Sequence, residues 1–166
     1  MDISDKKNQI EKTIIDSLRI LILISKFGYR KSFKLNIDKI ILYDYYMKFP
    51  KTMCEITDSQ EILNYSFNEY YSFFQWKPNY CDYIILIKFL LSKGLIDPLI
   101  YKEQNICVIT QSGNDLLNSI DNKLKEEMEM TAFYIKNELS KKNDGELEKI
   151  IFNKYREIIR WGENSL

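Results

Sequence analysis

Five branched aliphatic residues in a row, Ile20-Leu21-Ile22-Leu23-Ile24, constrain this chain more than any other feature, because a helical segment that is apolar on every side has to be enclosed by the rest of the molecule. Upstream, Ile10, Ile14, Leu18, Leu21 and Ser25 recur at intervals of three and four. That spacing predicts an amphipathic helix over 8–26 whose last turns are buried on more than one side. The chain around it has material enough for a core, with 45% hydrophobic and 14% aromatic residues in 166. Five Gly and three Pro leave few breaks, and no repeat, low-complexity tract or flexible linker is evident.

A loop at 26–34 separates this helix from a second, capped by Asn36 or Asp38, with Ile37, Ile40, Ile41 and Tyr45 on one face and Pro50 at its end. A third helix over about 80–93 follows Pro78-Asn79, and Gly94 is placed to stop it in a left-handed conformation. Leu95 to Thr110 reads as a strand, a polar turn Lys102-Glu103-Gln104-Asn105, and a second strand Ile106–Ile109. Thr110 or Ser112 caps a helix carrying Leu116, Leu117, Ile120, Leu124 and Met128 at helical spacing, and a segment to Leu139 continues it or forms a further helix. Asn143 or Asp144 starts a terminal helix with Leu147, Ile150, Ile151, Tyr155, Ile158 and Ile159 on one side.

Helix, helix, helix, hairpin, helix is the order of a winged-helix domain. The fold class is thus mainly α with a small β-hairpin, a single winged-helix-like domain over 1–166 with its core at about 8–130 and a helical extension at about 131–162. In such a domain the third helix meets a DNA groove through polar or basic side chains. Here Lys88 is the one charged residue between Tyr83 and Leu91, so the outer face of the helix is expected to be covered by protein, as additional core or as a partner interface, rather than by nucleic acid.

Beside it lies a run of rings. Eight of the sixteen residues 65–80 are aromatic, without helical periodicity throughout. Core packing, a protein interface and stacking on a single nucleic-acid strand all use such residues. As an interface, the set is Tyr70, Tyr71, Phe73, Phe74 and Trp76, joined by Tyr83 and Ile87 on the third helix and by Trp161 near the end of the chain. The candidate nucleic-acid contacts are Lys26, Arg30, Lys31 and Lys34, interleaved with Phe27, Tyr29 and Phe33; a solvated basic loop docked on an acidic neighbour is the simpler and preferred account of them.

Charge and composition remove most catalytic readings. Lys and Arg balance Asp and Glu at 24 each, and the excess of base in residues 1–34, eight against four, is small for a duplex-binding face. There is no histidine, which removes Ser-His-Asp and Cys-His catalysis and the histidine-based metal sites. The five glycines are too dispersed for a phosphate-binding loop. Asp44, among Tyr43, Tyr45 and Tyr46, is expected to be a partly buried structural carboxylate that accepts tyrosine hydroxyls or pairs with a base. Cys54, Cys81 and Cys107 are widely spaced and expected to be core thiols in a reducing compartment. No enzymatic activity, cofactor, metal or small-molecule substrate is expected, and neither a signal sequence nor a membrane span, which places the protein in the cytoplasm.

Three segments together resemble a known family: Leu35-Asn-Ile-Asp-Lys-Ile-Ile-Leu-Tyr-Asp-Tyr45; Trp76-Lys-Pro-Asn-Tyr80 leading into Leu90-Leu-Ser-Lys-Gly-Leu-Ile96; and Tyr134 to Trp161-Gly162. They look like the middle component of ABC-type three-component systems, the Lamassu-like antiphage defence operons, over about 20–162. The resemblance implies a non-enzymatic adaptor that bridges an SMC-like ATPase, which senses foreign DNA, to an effector such as a nuclease, and holds the effector inactive until invasion. It implies at most weak or indirect DNA contact, and no catalytic residues. The aromatic stretch 65–80 stands where family members often have a small apolar or His-containing segment. Two readings from other classes are a dimeric winged-helix transcriptional regulator, motivated by the hairpin and by Arg30 and Lys31, and an antitoxin-like inhibitor of one toxic enzyme.

Overall fold

A computed structural model of the chain describes residues 3–28, 35–54, 79–101 and 104–163. Its elements run α1 (Ile3–Phe27), α2 (Ile37–Lys48), α3 (Pro50–Cys54), α4 (Tyr80–Ser92), β1 (Ile96–Tyr101), β2 (Gln104–Ile109), α5 (Gln111–Ser119), α6 (Lys123–Tyr134), a π-helical turn (Ile135–Leu139) and α7 (Asp144–Glu163). The protein is mainly helical, with a two-stranded antiparallel hairpin in the register Ile96↔Ile109 to Tyr101↔Gln104.

The apolar run of α1 is the centre of the molecule. Ile20 to Ile24 are all fully buried, enclosed by α2, α4, α5, α6 and β2, and each such side chain stabilises by about 1.5–3 kcal/mol relative to exposure. Around it pack Ile40 and Tyr46 of α2, Leu90 of α4, Ile96 of β1, Ala132 and Ile135 near the end of α6, and Leu147 of α7.

Local chemistry fixes the element ends. The Asn36 side chain accepts from Lys39 N–H at 2.9 Å and so caps α2. At the end of α4, Gly94 takes φ +65°; its N–H donates to Leu91 O (2.9 Å) and Leu95 N–H reaches back to Leu90 O (3.1 Å), the paired bonds of a Schellman stop. Asn143 and Glu146 cap α7 reciprocally, the Asn143 side chain accepting from Glu146 N–H (2.9 Å) while Glu146 accepts from Asn143 N–H (2.8 Å).

Three expectations are corrected. The helical spacing from Leu116 to Met128 spans two helices, because Ile120 turns extended (φ −88°, ψ 117°) and the Asn122 side chain caps α6 afresh. Of the two candidate caps of α5, Thr110 is the one used, through Gly113 N–H at 3.0 Å. Gln104 and Asn105 belong to β2 rather than to the turn, and Pro50 opens α3 as well as following α2. Finally, additional core does not account for the outer face of α4: Cys81, Asp82, Ile85, Lys88 and Ser92 form an open stripe, with Ile85 61% exposed. Of the cysteines, Cys54 is buried and Cys107 half-buried, whereas Cys81 lies on that open stripe.

Two buried tyrosines of α2 differ in one hydrogen bond. Tyr46 Oη donates to Leu147 O at 3.1 Å, tying α2 to α7. Tyr43 stacks on Phe27 at 5.2 Å between ring centroids, but its hydroxyl is buried without a hydrogen-bond partner among the described residues. Tyr43→Phe should therefore leave stability unchanged or raise it by up to about 1 kcal/mol, whereas Tyr46→Phe should lower it by about 1 kcal/mol, both read from urea denaturation. Equal losses in the two variants would contradict this assignment.

Candidate partner interface

A charged cluster clamps three helices beneath the surface. Asp44 on α2 is 1% exposed, and both of its oxygens are engaged: Oδ1 accepts from Arg19 Nε of α1 at 2.8 Å, and Oδ2 accepts from Tyr83 Oη of α4 at 2.7 Å and pairs with Lys48 Nζ at 3.0 Å. Arg19 also pairs with Asp16 one turn earlier, and Lys48 Nζ donates to Tyr83 Oη at 3.2 Å. Burial pushes the Asp44 carboxyl up, but the charges of Arg19 and Lys48 and the hydrogen bonds from Arg19 and Tyr83 outweigh it and hold the group below the ordinary carboxylate range. Burial lowers Arg19, but the two aspartates raise it further above its ordinary value. Burial and the adjacent Asp44 charge push the Tyr83 hydroxyl up. The cluster is ionised and internally paired, so its chemistry is that of a fastener between α1, α2 and α4. The expected structural carboxylate is present; the tyrosine it uses is Tyr83 rather than its sequence neighbours.

The expected interface residues divide. Tyr83 and Ile87 are buried within the chain, Tyr83 in the clamp and Ile87 in the core, so neither offers exposed area to a partner. Tyr70, Tyr71, Phe73, Phe74 and Trp76 lie outside the described residues, as does the side chain of Trp161, whose backbone is in α7. Of the basic set, Lys26 falls in the last turn of α1 and pairs with Glu129 of α6 at 3.2 Å, the acidic-neighbour arrangement weighed above. Arg30, Lys31 and Lys34 lie outside the described residues.

A different apolar surface stands open. Along α1 the stripe Ile10, Ile14, Leu18, Leu21 faces the core only at its C-terminal end; Ile10 is 60% and Ile14 55% exposed. Between this half of α1 and the end of α4 lie two adjoining hollows that share Ile14, Phe89 and Lys93. The inner one, of about 420 Å³, is walled by Leu18, Leu21, Leu90, Leu95, Leu116 and Ile120. The outer one, of about 500 Å³, runs along Lys6, Gln9, Ile10 and Thr13. The spacing of Ile10 and Ile14 places them on the apolar face of α1, but the period of a stripe identifies such a face and not what covers it. The available signal was the length of the stripe, which begins more than two turns before the all-round apolar run. Other open apolar side chains lie on separate elements: Ile100 (76% exposed) on the hairpin, and Met130 and Phe133 on α6. Single exposed apolar residues are ordinary; a continuous groove of them marks a contact site.

Among the described residues no three His, Cys, Asp or Glu side chains gather as a metal ion would need, and no helix is long and apolar enough to cross a membrane. A clamped helical core, a short hairpin and an open apolar groove define a helical protein with surface suited to apolar contact. Residues 11–163 match the family described as ABC-three component (ABC-3C) system Middle Component 2, and the chain belongs to that family. It is thus one component of a system with partner subunits. Neither a curated protein nor a solved structure matches the chain.

Proposed function

We propose that this middle component is a non-enzymatic adaptor in a Lamassu-like defence complex in the cytoplasm, joining an SMC-like ATPase to an effector nuclease and helping to keep that effector inactive until foreign DNA is sensed. In this reading α1, α2 and α4 form the trihelical part of a winged-helix arrangement and β1–β2 its wing, used for protein contact. The observation that carries the proposal is the open apolar surface on several elements, in a chain whose family membership provides partner subunits for it. A bridging role needs contact area more than reactive groups, and the buried carboxylate of the clamp is already fully engaged.

Co-expression with the other two components of the system, followed by size-exclusion chromatography with light scattering, tests this directly. The expected result is a complex of all three, in which nuclease activity on plasmid DNA is low and rises when the effector is freed from the chain. A chain that stays monomeric in the presence of both components, or an ATPase and effector that bind each other equally well without it, would overturn the reading.

A further inference from the structure

The two hollows form one groove with a consistent chemical character. Its apolar walls are aliphatic apart from Phe89, Gln9, Thr13 and Ser17 are its uncharged polar lining, and the charged side chains that line it are Lys6 and Lys93. Neither lysine has an ion-pair partner among the described residues; Lys93 Nζ instead lies 5.7 Å from the centroid of the Phe89 ring. Ser17 lines the inner hollow at 5% exposure, and its Oγ has no hydrogen-bond partner among the described residues. A buried hydroxyl left unsatisfied costs about 1–3 kcal/mol. From Ile10 to Leu21 the groove follows α1 for about 16 Å, about three turns of a docked helix.

We propose that this groove receives an amphipathic helix of a partner subunit, with aliphatic or aromatic side chains filling the two hollows and acidic residues flanking them opposite Lys6 and Lys93. The proposal rests on the adaptor reading and names the surface that one partner uses. Charge complementarity selects the occupant. A second copy of the chain docked groove to groove would bring lysines against lysines, whereas an acidic-flanked apolar ridge pairs with both of them.

The test places a photo-cross-linking amino acid at the exposed position 14 of the full chain and irradiates it alone and with the other two components. The expected product is a cross-link to a segment of one component with apolar residues at helical spacing and flanking Asp or Glu. Affinity for that component should fall at least about tenfold in Ile14→Asp/Leu116→Asp and several-fold in Lys93→Glu, with each variant still melting cooperatively as a folded protein above the assay temperature, since none of the three positions is buried. Raising the salt concentration should weaken the wild-type complex more than the Lys93→Glu complex. A cross-link to a second copy, or within the chain to residues 55–78, overturns the proposal. So does a complex that forms at full affinity with the aspartate variants, although the adaptor reading then stands on another face. Failure of the wild-type chain to bind either component removes the adaptor reading itself.

Discussion

Asp44→Asn should be among the most destabilising single substitutions in the molecule, costing about 3–5 kcal/mol in urea denaturation, because removing one member of a buried ionic cluster leaves the others uncompensated. Arg19 would keep only Asp16 as a counter-charge, and Lys48 and Tyr83 would lose the acceptor that holds α4 against α2. A domain of this kind has about 5–15 kcal/mol in total, so the variant should be markedly less stable at ambient temperature. At about 2–4 °C per kcal/mol its melting temperature should fall by about 6–20 °C. Replacing the buried members together, with Arg19→Met, Asp44→Leu and Tyr83→Phe, should cost less than Asp44→Asn alone, since the charges left without a partner, Asp16 and Lys48, keep access to water. A loss below about 1 kcal/mol in Asp44→Asn would show that the cluster fastens nothing.

The pH dependence follows from the sign of the shift. The folded carboxyl of Asp44 titrates below its unfolded value, so its contribution is complete above the ordinary aspartate pKa of about 4 and disappears as pH falls through the depressed folded value. The stability difference between wild type and Asp44→Asn should therefore be flat from neutral pH down to about pH 5 and shrink only in stronger acid.

Gly113→Ala should be the second large effect. A Cβ on Gly113 would lie 2.2 Å from the backbone oxygen of Leu95 and 2.7 Å from Ile109 Cγ1. That oxygen already accepts from Thr110 N–H at 3.1 Å, in the joint where α5 meets the base of the hairpin, so it has little room to move. Overpacking costs about 1–3 kcal/mol, and a backbone obstacle puts this case at the upper end. The variant should also distort the groove, because Leu116 and Ile120 follow on α5 and at its end. Gly145→Ala provides the contrast. Its nearest obstacle is Asn143 Oδ1 at 3.5 Å, an ordinary contact, and alanine in a helix gains up to about 1 kcal/mol over glycine. Thermal melts of the two variants should move in opposite directions; a Gly113→Ala protein as stable as wild type would mean that α5 is not seated as described.

The features legible in the sequence are those decided by local rules. The run Ile20–Ile24 located the centre of the core, Gly94 the stop of α4, and Asn143 the start of α7, each through a preference that the residue carries wherever it occurs. The break between α5 and α6 was hidden because Leu116 to Met128 keep a helical period straight across it, and only a cap at Asn122 separates the two helices. The clamp was half legible. Asp44 stood out as a carboxylate in an apolar setting, but Arg19 is 25 positions away and Tyr83 another 39 in the opposite direction, and no local pattern links them. The groove was least legible, since an apolar stripe reads the same whether its own chain or a partner covers it.

From Ser4 to Ile15 every residue of α1 except Thr13 is exposed, while Ile20 to Ile24 are sealed. One continuous helix therefore belongs to two cooperative units. Its later turns open only when the whole domain unfolds; its first turns have little packing to hold them, and helices shorter than about 12–15 residues are marginal on their own in water. Amide exchange should slow along α1 from Ile3 toward Phe27. Whatever settles against Ile10 and Ile14 then extends the cooperative unit toward the amino terminus, so part of its binding free energy appears as helix order in a segment that the isolated subunit leaves loosely held.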